Sequence, residues 1–197
     1  NVEMIRSANR LGNALKQLGI KKADRVGTQL TNCPQVIQTF IATMKIGGIV
    51  VPLNPSARPD EAAYLYKDSG IKALITSSDY LERVNQARQD TKEPKHVILT
   101  DSADTPGTLF FDKITQGCSE ELTIEETDND DVPVLVYTAG TTGRPKGVMY
   151  THFGLYYSAV GSYELLEEGI GIHLKSTSLK HDAKTNKYVA ETTEVYG

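Results

Sequence analysis

The sequence predicts an α/β fold, with a mostly parallel sheet carrying helices on both faces and an antiparallel β-hairpin at the end. Three observations carry this expectation. Short apolar runs alternate with stretches of helical spacing as far as about residue 138, which implies right-handed crossovers between parallel neighbours. The run Ile49-Val50-Val51-Pro52-Leu53 is continuous, as expected of a strand covered on both faces. From about residue 168 the helical period disappears. Two extended segments, roughly 170–180 and 187–196, follow, joined by a polar turn around His181 to Asn186.

Each element has a local reason. Ile5, Ala8, Leu11, Leu15 and Leu18 recur at helical spacing, and Gly19 is placed to end that helix. Arg25 to Leu30 reads as a strand. Pro34 suits the first turn of a helix carrying Val36, Ile37, Phe40, Ile41 and Met44, which Gly47-Gly48 closes. Asp60 to Lys67 reads as a helix ending near Gly70, and Ile71 to Thr76 as a strand. Tyr80 to Arg88 is helical in pattern, His96 to Thr100 is extended, and Pro133 to Thr138 is the last strand of the series. A further helix carries Leu155, Tyr156 and Val160.

Composition narrows the function classes. With 39% hydrophobic and 23% charged residues, the chain is ordinary for a globular protein. No stretch approaches the ~20 apolar residues of a membrane span, and no basic segment precedes an apolar one as in an export signal. The opening "NVEMIRSANRL" reads as an internal start. Cys33 and Cys118 have neither metal-type spacing nor disulfide density, which fits a reducing, cytoplasmic setting. Residues 120–131, "EELTIEETDNDD", hold seven acids and no base, the pattern of a solvated loop. No basic stripe with interleaved aromatics points to nucleic acid. A homo-oligomer is left open.

The stretch "YTAGTTGRPKG" (137–147) holds the chemistry. A loop that grips phosphate needs free backbone N–H groups, hydroxyl donors and a cation. Gly140, Gly143 and Gly147 allow positive φ and a close approach of backbone to ligand. Thr138, Thr141 and Thr142 supply hydroxyls, and Lys146 a compact charge beside the rigid Pro145. The spacing is neither G-x-x-x-x-G-K-[ST] nor G-x-G-x-x-G. At the carboxyl end of a parallel strand, such a loop lies where α/β sheets bind ligands.

The segment "LVYTAGTTGRPKGVMYTH" (135–152) resembles the phosphate-loop signature of adenylate-forming enzymes, the superfamily of acyl-CoA synthetases, luciferases and peptide-synthetase adenylation domains. Residues 8–76, from "ANRLGNALKQLG" to "KDSGIKALIT", resemble the N-terminal subdomain of acyl-CoA synthetases segment by segment, so about the first 160 residues are covered. The resemblance implies ATP-dependent activation of a carboxylic acid through an acyl-adenylate to a coenzyme A thioester, with Mg²⁺ as the accompanying ion. Carried over by position, Thr138, Gly140, Thr141, Thr142, Gly143 and Lys146 contact ATP phosphates, and the Thr138 hydroxyl lies near the metal. Ala139 stands where the family often has Ser. Arg144 occupies a variable position and reads as a solvated cation. His152 lies in the family's "TH" and either shapes the pocket or simply opens the next helix.

The family's downstream features are not recognisable here: the aromatic-Gly-x-Thr-Glu motif, the ribose-binding Asp, the hinge Arg and the lysine of a mobile C-terminal domain. Tyr196-Gly197 lie too close behind Lys146 to begin that motif. The expected organisation is an incomplete N-terminal subdomain over 1–165 and a hairpin tail over 166–197. The expected role is a fragment of an AMP-forming acyl-CoA synthetase acting on a carboxylic acid of fatty type, inactive alone. Two alternatives stand beside it. One is a truncated, non-catalytic nucleotide-binding module. The other draws on a weaker resemblance of the tail to hot-dog acyl-CoA thioesterases, in which His181 of "HDAKT" is the candidate polar residue.

Overall fold

Burial on both faces shapes the sheet. A computed structural model describes residues 2–89, 91–102, 105–138, 144–167, 174–182 and 187–195, with side-chain surroundings described as far as residue 159. The elements run α1 (Val2–Gln17), β1 (Arg25–Gln29), α2 (Pro34–Lys45), β2 (Ile49–Pro52), α3 (Pro59–Ser69), β3 (Ile71–Thr76), α4 (Ser78–Ala87) and β4 (His96–Leu99). They continue with β5 (Leu109–Phe110), α5 (Phe111–Thr115), β6 (Val134–Thr138), β7 (Lys146–Tyr150), α6 (His152–Glu167), β8 (Leu174–Asp182) and β9 (Lys187–Val195). The chain divides into two compact units, Asn1–His152 and Phe153–Gly197.

The first unit is built on a seven-stranded sheet of order β5-β4-β3-β1-β2-β6-β7, parallel except at the β6–β7 pair. Its two cores lie on opposite faces. Leu65, Tyr66, Val84 and Ala87 of α3 and α4 pack with Val51, Ile71, Leu74, Val97 and Leu99. Ala8, Leu11 and Leu15 of α1 pack with Ala42, Ile46 and Phe111 against Val26, Ala73, Ile75 and Ile98. The continuous apolar strands follow from this double covering. A register shift between β1 and β3 pairs Arg25 with Ile71 but Val26 with Ala73, leaving Lys72 as the extra residue. That bulge puts Ile71 and Leu74 on one face and turns the Lys72 amine onto the Asp24 carboxylate, 2.6 Å away.

Helix ends follow the residues that favour them. Gly19 and Gly70 adopt positive φ behind α1 and α3, and Pro34 and Pro59 open α2 and α3. Helix α4 starts at Ser78, two residues earlier than its apolar spacing suggests. Asp101 supplies the cap from 23 positions away, accepting from the Ser78 backbone N–H at 2.9 Å and from its hydroxyl at 2.8 Å.

Three short elements, β5, α5 and β7, lie where the sequence reads as loop. The acidic run also differs from a free solvated loop. Most of its carboxylates face solvent, but Glu120 pairs with Arg10 and Asp131 with Lys22, and its backbone is strapped across α1 and the turn before β1. Asn13 Nδ2 donates to the carbonyls of Ser119 and Glu121 at 2.9 Å each, and Lys22 Nζ to that of Glu126 at 2.8 Å. Leu122 presses on Gly12 so closely that a Cβ there would meet it at 2.5 Å. In the second unit β8 and β9 form an antiparallel ladder from Leu174↔Val195 to Asp182↔Lys187.

Asp24 ties the bulge together, because its carboxylate also accepts the Lys21 N–H at 2.9 Å. Burial pushes its carboxyl up, but the Lys72 and Lys21 hydrogen bonds and the nearby cations together hold it below the usual carboxylate range. A depressed value stabilises the fold above the unfolded carboxylate range, and that stabilisation is lost as pH falls through the folded value. Asp24→Ala is expected to cost about 1–3 kcal/mol near neutral pH. Urea unfolding should show the gap to the parent chain closing as the solution is acidified.

Candidate functional site

The candidate loop springs from the carboxyl end of β6 and returns as β7. Strand β6 joins the parallel sheet beside β2 through Val50↔Val134, with the Val50 N–H donating to the Pro133 carbonyl at 2.8 Å. The ladder with β7 then runs from Val134↔Tyr150 to Thr138↔Lys146. Residues 139–145 therefore link two residues paired in the ladder. The Thr138 hydroxyl reaches the Lys146 carbonyl at 3.5 Å, so the last rung sets a hydroxyl and a cation together at the mouth of the loop. Both are exposed. Among the described residues, no carboxylate pairs with Lys146.

Gly147 has a role different from the expected positive φ. It lies in the extended strand opposite Tyr137, where an added Cβ would meet Leu135 Cδ1 at 2.9 Å. A side chain there would push the end of Leu135 aside. Gly140, Thr141, Thr142 and Gly143 lie outside the described residues.

Helix α3 supports the stem at both ends. The Tyr64 hydroxyl donates to the Pro145 carbonyl at 3.1 Å, and the Arg144 guanidinium carbon sits 5.2 Å from the centre of the Tyr64 ring. Arg144 is thus an exposed cation held over an aromatic face, more than the solvated charge its variable position suggests. One turn further along α3, Asp68 accepts the Tyr137 hydroxyl at 2.6 Å. Burial first, then the Asp68 carboxylate, pushes the Tyr137 phenol well above the usual tyrosine range. Tyr64, Leu135 and Tyr137 all pack on the core beneath α3 and α4. Sequence reasoning missed this brace. Its only local signal is the i, i+4 spacing of Tyr64 and Asp68, and the contacts join residues 69 and 81 positions apart.

His152 opens α6, and its backbone N–H donates to the Asp131 carbonyl at 3.0 Å. This anchors the helix start to the acidic strap. His181 is a strand residue, paired with Tyr188 in the ladder, where the sequence places it in the turn. Residues 183–186 lie outside the described set. Among the described residues there is no cluster of three or more His, Cys, Asp or Glu side chains able to hold a metal, and no helix is long and apolar enough to cross a membrane.

These features define an α/β domain with a glycine-rich connection at the carboxyl edge of its parallel sheet. The chain belongs to the AMP-binding enzyme family, whose model matches residues 2–185. It is 35% identical over 159 residues to a crotonobetaine/carnitine–CoA ligase of Salmonella paratyphi B, covering 77% of this chain and 31% of the ligase. The ligase of the same name from Escherichia coli O139:H28 is 34% identical over 166 residues, covering 80% of this chain and 32% of the ligase. Among solved structures, the anthranilate CoA ligase AuaEII in complex with anthranoyl-AMP superposes with a TM-score of 0.76 at 26% identity, over 81% of this chain and 30% of that one. MatB from Rhodopseudomonas palustris gives 0.73 at 25%, over 84% and 32%. The chain thus spans about a third of the length of these relatives. The relatives named here are CoA ligases or match as members of the same fold, and the AMP-binding family is what this chain shares with them.

Tyr137 gives a test of the stem. Its raised phenol pKa stabilises the fold below the ordinary tyrosine range, and that stabilisation is lost as pH rises toward the folded value. Tyr137→Phe is expected to lower unfolding stability by about 0.5–1.5 kcal/mol near neutral pH. The difference from the parent should shrink in alkaline denaturation series, and a constant difference would rule out the Asp68 hydrogen bond as its source.

Proposed function

We propose that this chain supplies the phosphate-holding part of an AMP-forming acyl-CoA synthetase and binds ATP without completing turnover by itself. The observation that carries the reading is the Thr138↔Lys146 rung on which the Gly/Thr-rich connection begins and ends, placing a hydroxyl residue and a cationic residue, unpaired among the described residues, side by side. Thr138, Gly140, Thr141, Thr142, Gly143 and Lys146 hold the ATP phosphates in this reading. Donors fixed where negative charge develops are what phosphate displacement requires. A carboxylate oxygen bonds to the α-phosphorus as pyrophosphate leaves. The coenzyme A thiol then takes the acyl group, its sulfur bonding to the carbonyl carbon as AMP departs.

Mg²⁺ suits the same residues. In phosphate-binding loops a Ser or Thr hydroxyl takes the ion together with substrate phosphate oxygens and water, a role the Thr138 hydroxyl could fill. When bound, the ion would neutralise charge building on the phosphate oxygens. Thr138 is the residue assigned to it. The cytoplasm is the proposed setting, in keeping with two free, partly buried thiols.

For the acid, "GVMYTH" followed by "GLYYSAVG" favours an apolar, fatty or medium-chain substrate. The relatives named above act on acids as different as carnitine and anthranilate, and the part of the chain that chooses among them is not fixed by this resemblance.

Isothermal titration of the chain with MgATP tests the phosphate reading. Lys146→Ala combined with Thr142→Ala should weaken binding about tenfold to a hundredfold, the scale of one or two charge-assisted hydrogen bonds. Unchanged affinity in the double variant would overturn the use of the loop. Carboxylate-dependent exchange of pyrophosphate into ATP by the 197 residues alone would overturn the claim that they do not complete a reaction.

A further inference from the structure

We propose that Tyr64 and Asp68 of α3 are positioning residues for the phosphate loop, gripping the two chain segments that enter and leave it. The inference rests on the phosphate-holding reading above and adds what sets the loop's geometry.

Tyr64 and Asp68 lie one turn apart on the same face of a helix that buries Ala62, Leu65, Tyr66 and Ser69 in the first unit. Asp68 takes the hydroxyl of Tyr137, the residue before Thr138 on the ingoing strand. Tyr64 takes the outgoing side twice, its hydroxyl on the Pro145 carbonyl and its ring beneath the Arg144 guanidinium. Pro145 has a fixed φ and no N–H, so its carbonyl is a natural anchor for setting the direction in which Lys146 leaves the loop. Of the three partners, Tyr137 and Pro145 sit next to the Thr138–Lys146 rung and Arg144 one residue further out. The helix therefore holds the spacing of the loop's two ends from below.

This division predicts a selective defect. Phosphate grip depends on placing donors within a fraction of an ångström, and misplacement by about 1 Å costs up to about a hundredfold. Tyr64→Leu removes the hydroxyl and the ring face together. Tyr64→Phe keeps the ring beneath Arg144 and loses only the hydroxyl. Asp68→Asn keeps an acceptor for Tyr137 and loses the charge.

The test is MgATP and AMP titration of the 197-residue chain in these variants, with Lys146→Ala as reference and thermal unfolding measured in parallel. Tyr64→Leu should weaken MgATP about tenfold and leave AMP binding within about twofold, because AMP lacks the β- and γ-phosphates. Tyr64→Phe should restore most of the loss, and Asp68→Asn should fall between. Equal weakening of MgATP and AMP alongside a lowered unfolding midpoint would make the brace merely structural and overturn the proposal. MgATP affinity unchanged in Tyr64→Leu, while Lys146→Ala weakens it, would also overturn it and leave the phosphate reading intact. ATP binding that is absent, or untouched by Lys146→Ala, would remove the phosphate reading and this inference with it.

Discussion

The candidate site depends on one join in the sheet. Strand β6 returns to the fold after the long acidic excursion and pairs with β2 through Val50↔Val134 and the Val50–Pro133 hydrogen bond. Val50 is fully buried and Val134 nearly so, so the join is made inside the core, where an unpaired backbone group would be costly. Everything that bears on the loop is placed by it: the hairpin with β7, the rung at Thr138 and Lys146, and the approach of Tyr137 to α3. The strap over α1 has the complementary task of carrying the chain from one edge of the sheet to the other. It is tied by Asn13, Lys22 and Leu122, so the excursion enters β6 from a fixed start.

Much of the fold was legible because burial leaves a local trace. The run Ile49–Leu53 is continuous and apolar, and Ile71–Thr76 nearly so apart from the bulge residue Lys72, because two cores cover them, and Gly19 and Gly70 end helices through positive φ. What was not legible depends on distant partners. The start of α4 is set by Asp101, and the acidic strap is fixed by asparagines and lysines of α1 and the turn before β1. Strand β7 is the clearest case. Its five residues are all exposed and include Gly147, a poor strand former, so no periodicity announces it. The ladder with β6 makes it a strand.

The site shows the same split. Glycines, threonines and a lysine in that order identify the loop, because phosphate chemistry needs those residue types close together in sequence. The brace from α3 needs no such proximity. Tyr64 and Asp68 look like ordinary surface residues of an amphipathic helix until Tyr137 and Pro145 are brought against them.

The two cations flanking Pro145 illustrate why similar residues take different work. Leu135 and Tyr137 point to the core beneath α3, so period-two alternation sends Thr138, with its cross-strand neighbour Lys146, to the other face. Arg144, two residues back, settles over the Tyr64 ring, where a planar, weakly hydrated guanidinium stacks better than an ammonium. Lys146, with no carboxylate partner among the described residues, carries its strongly hydrated charge on a hydrogen-bonded rung. A cation mounted on a strand is aimed more accurately than one carried by the loop itself, and only the second cation has a strand beneath it. The order Arg-Pro-Lys therefore puts the stacking cation before the fixed proline and the strand-mounted one after it.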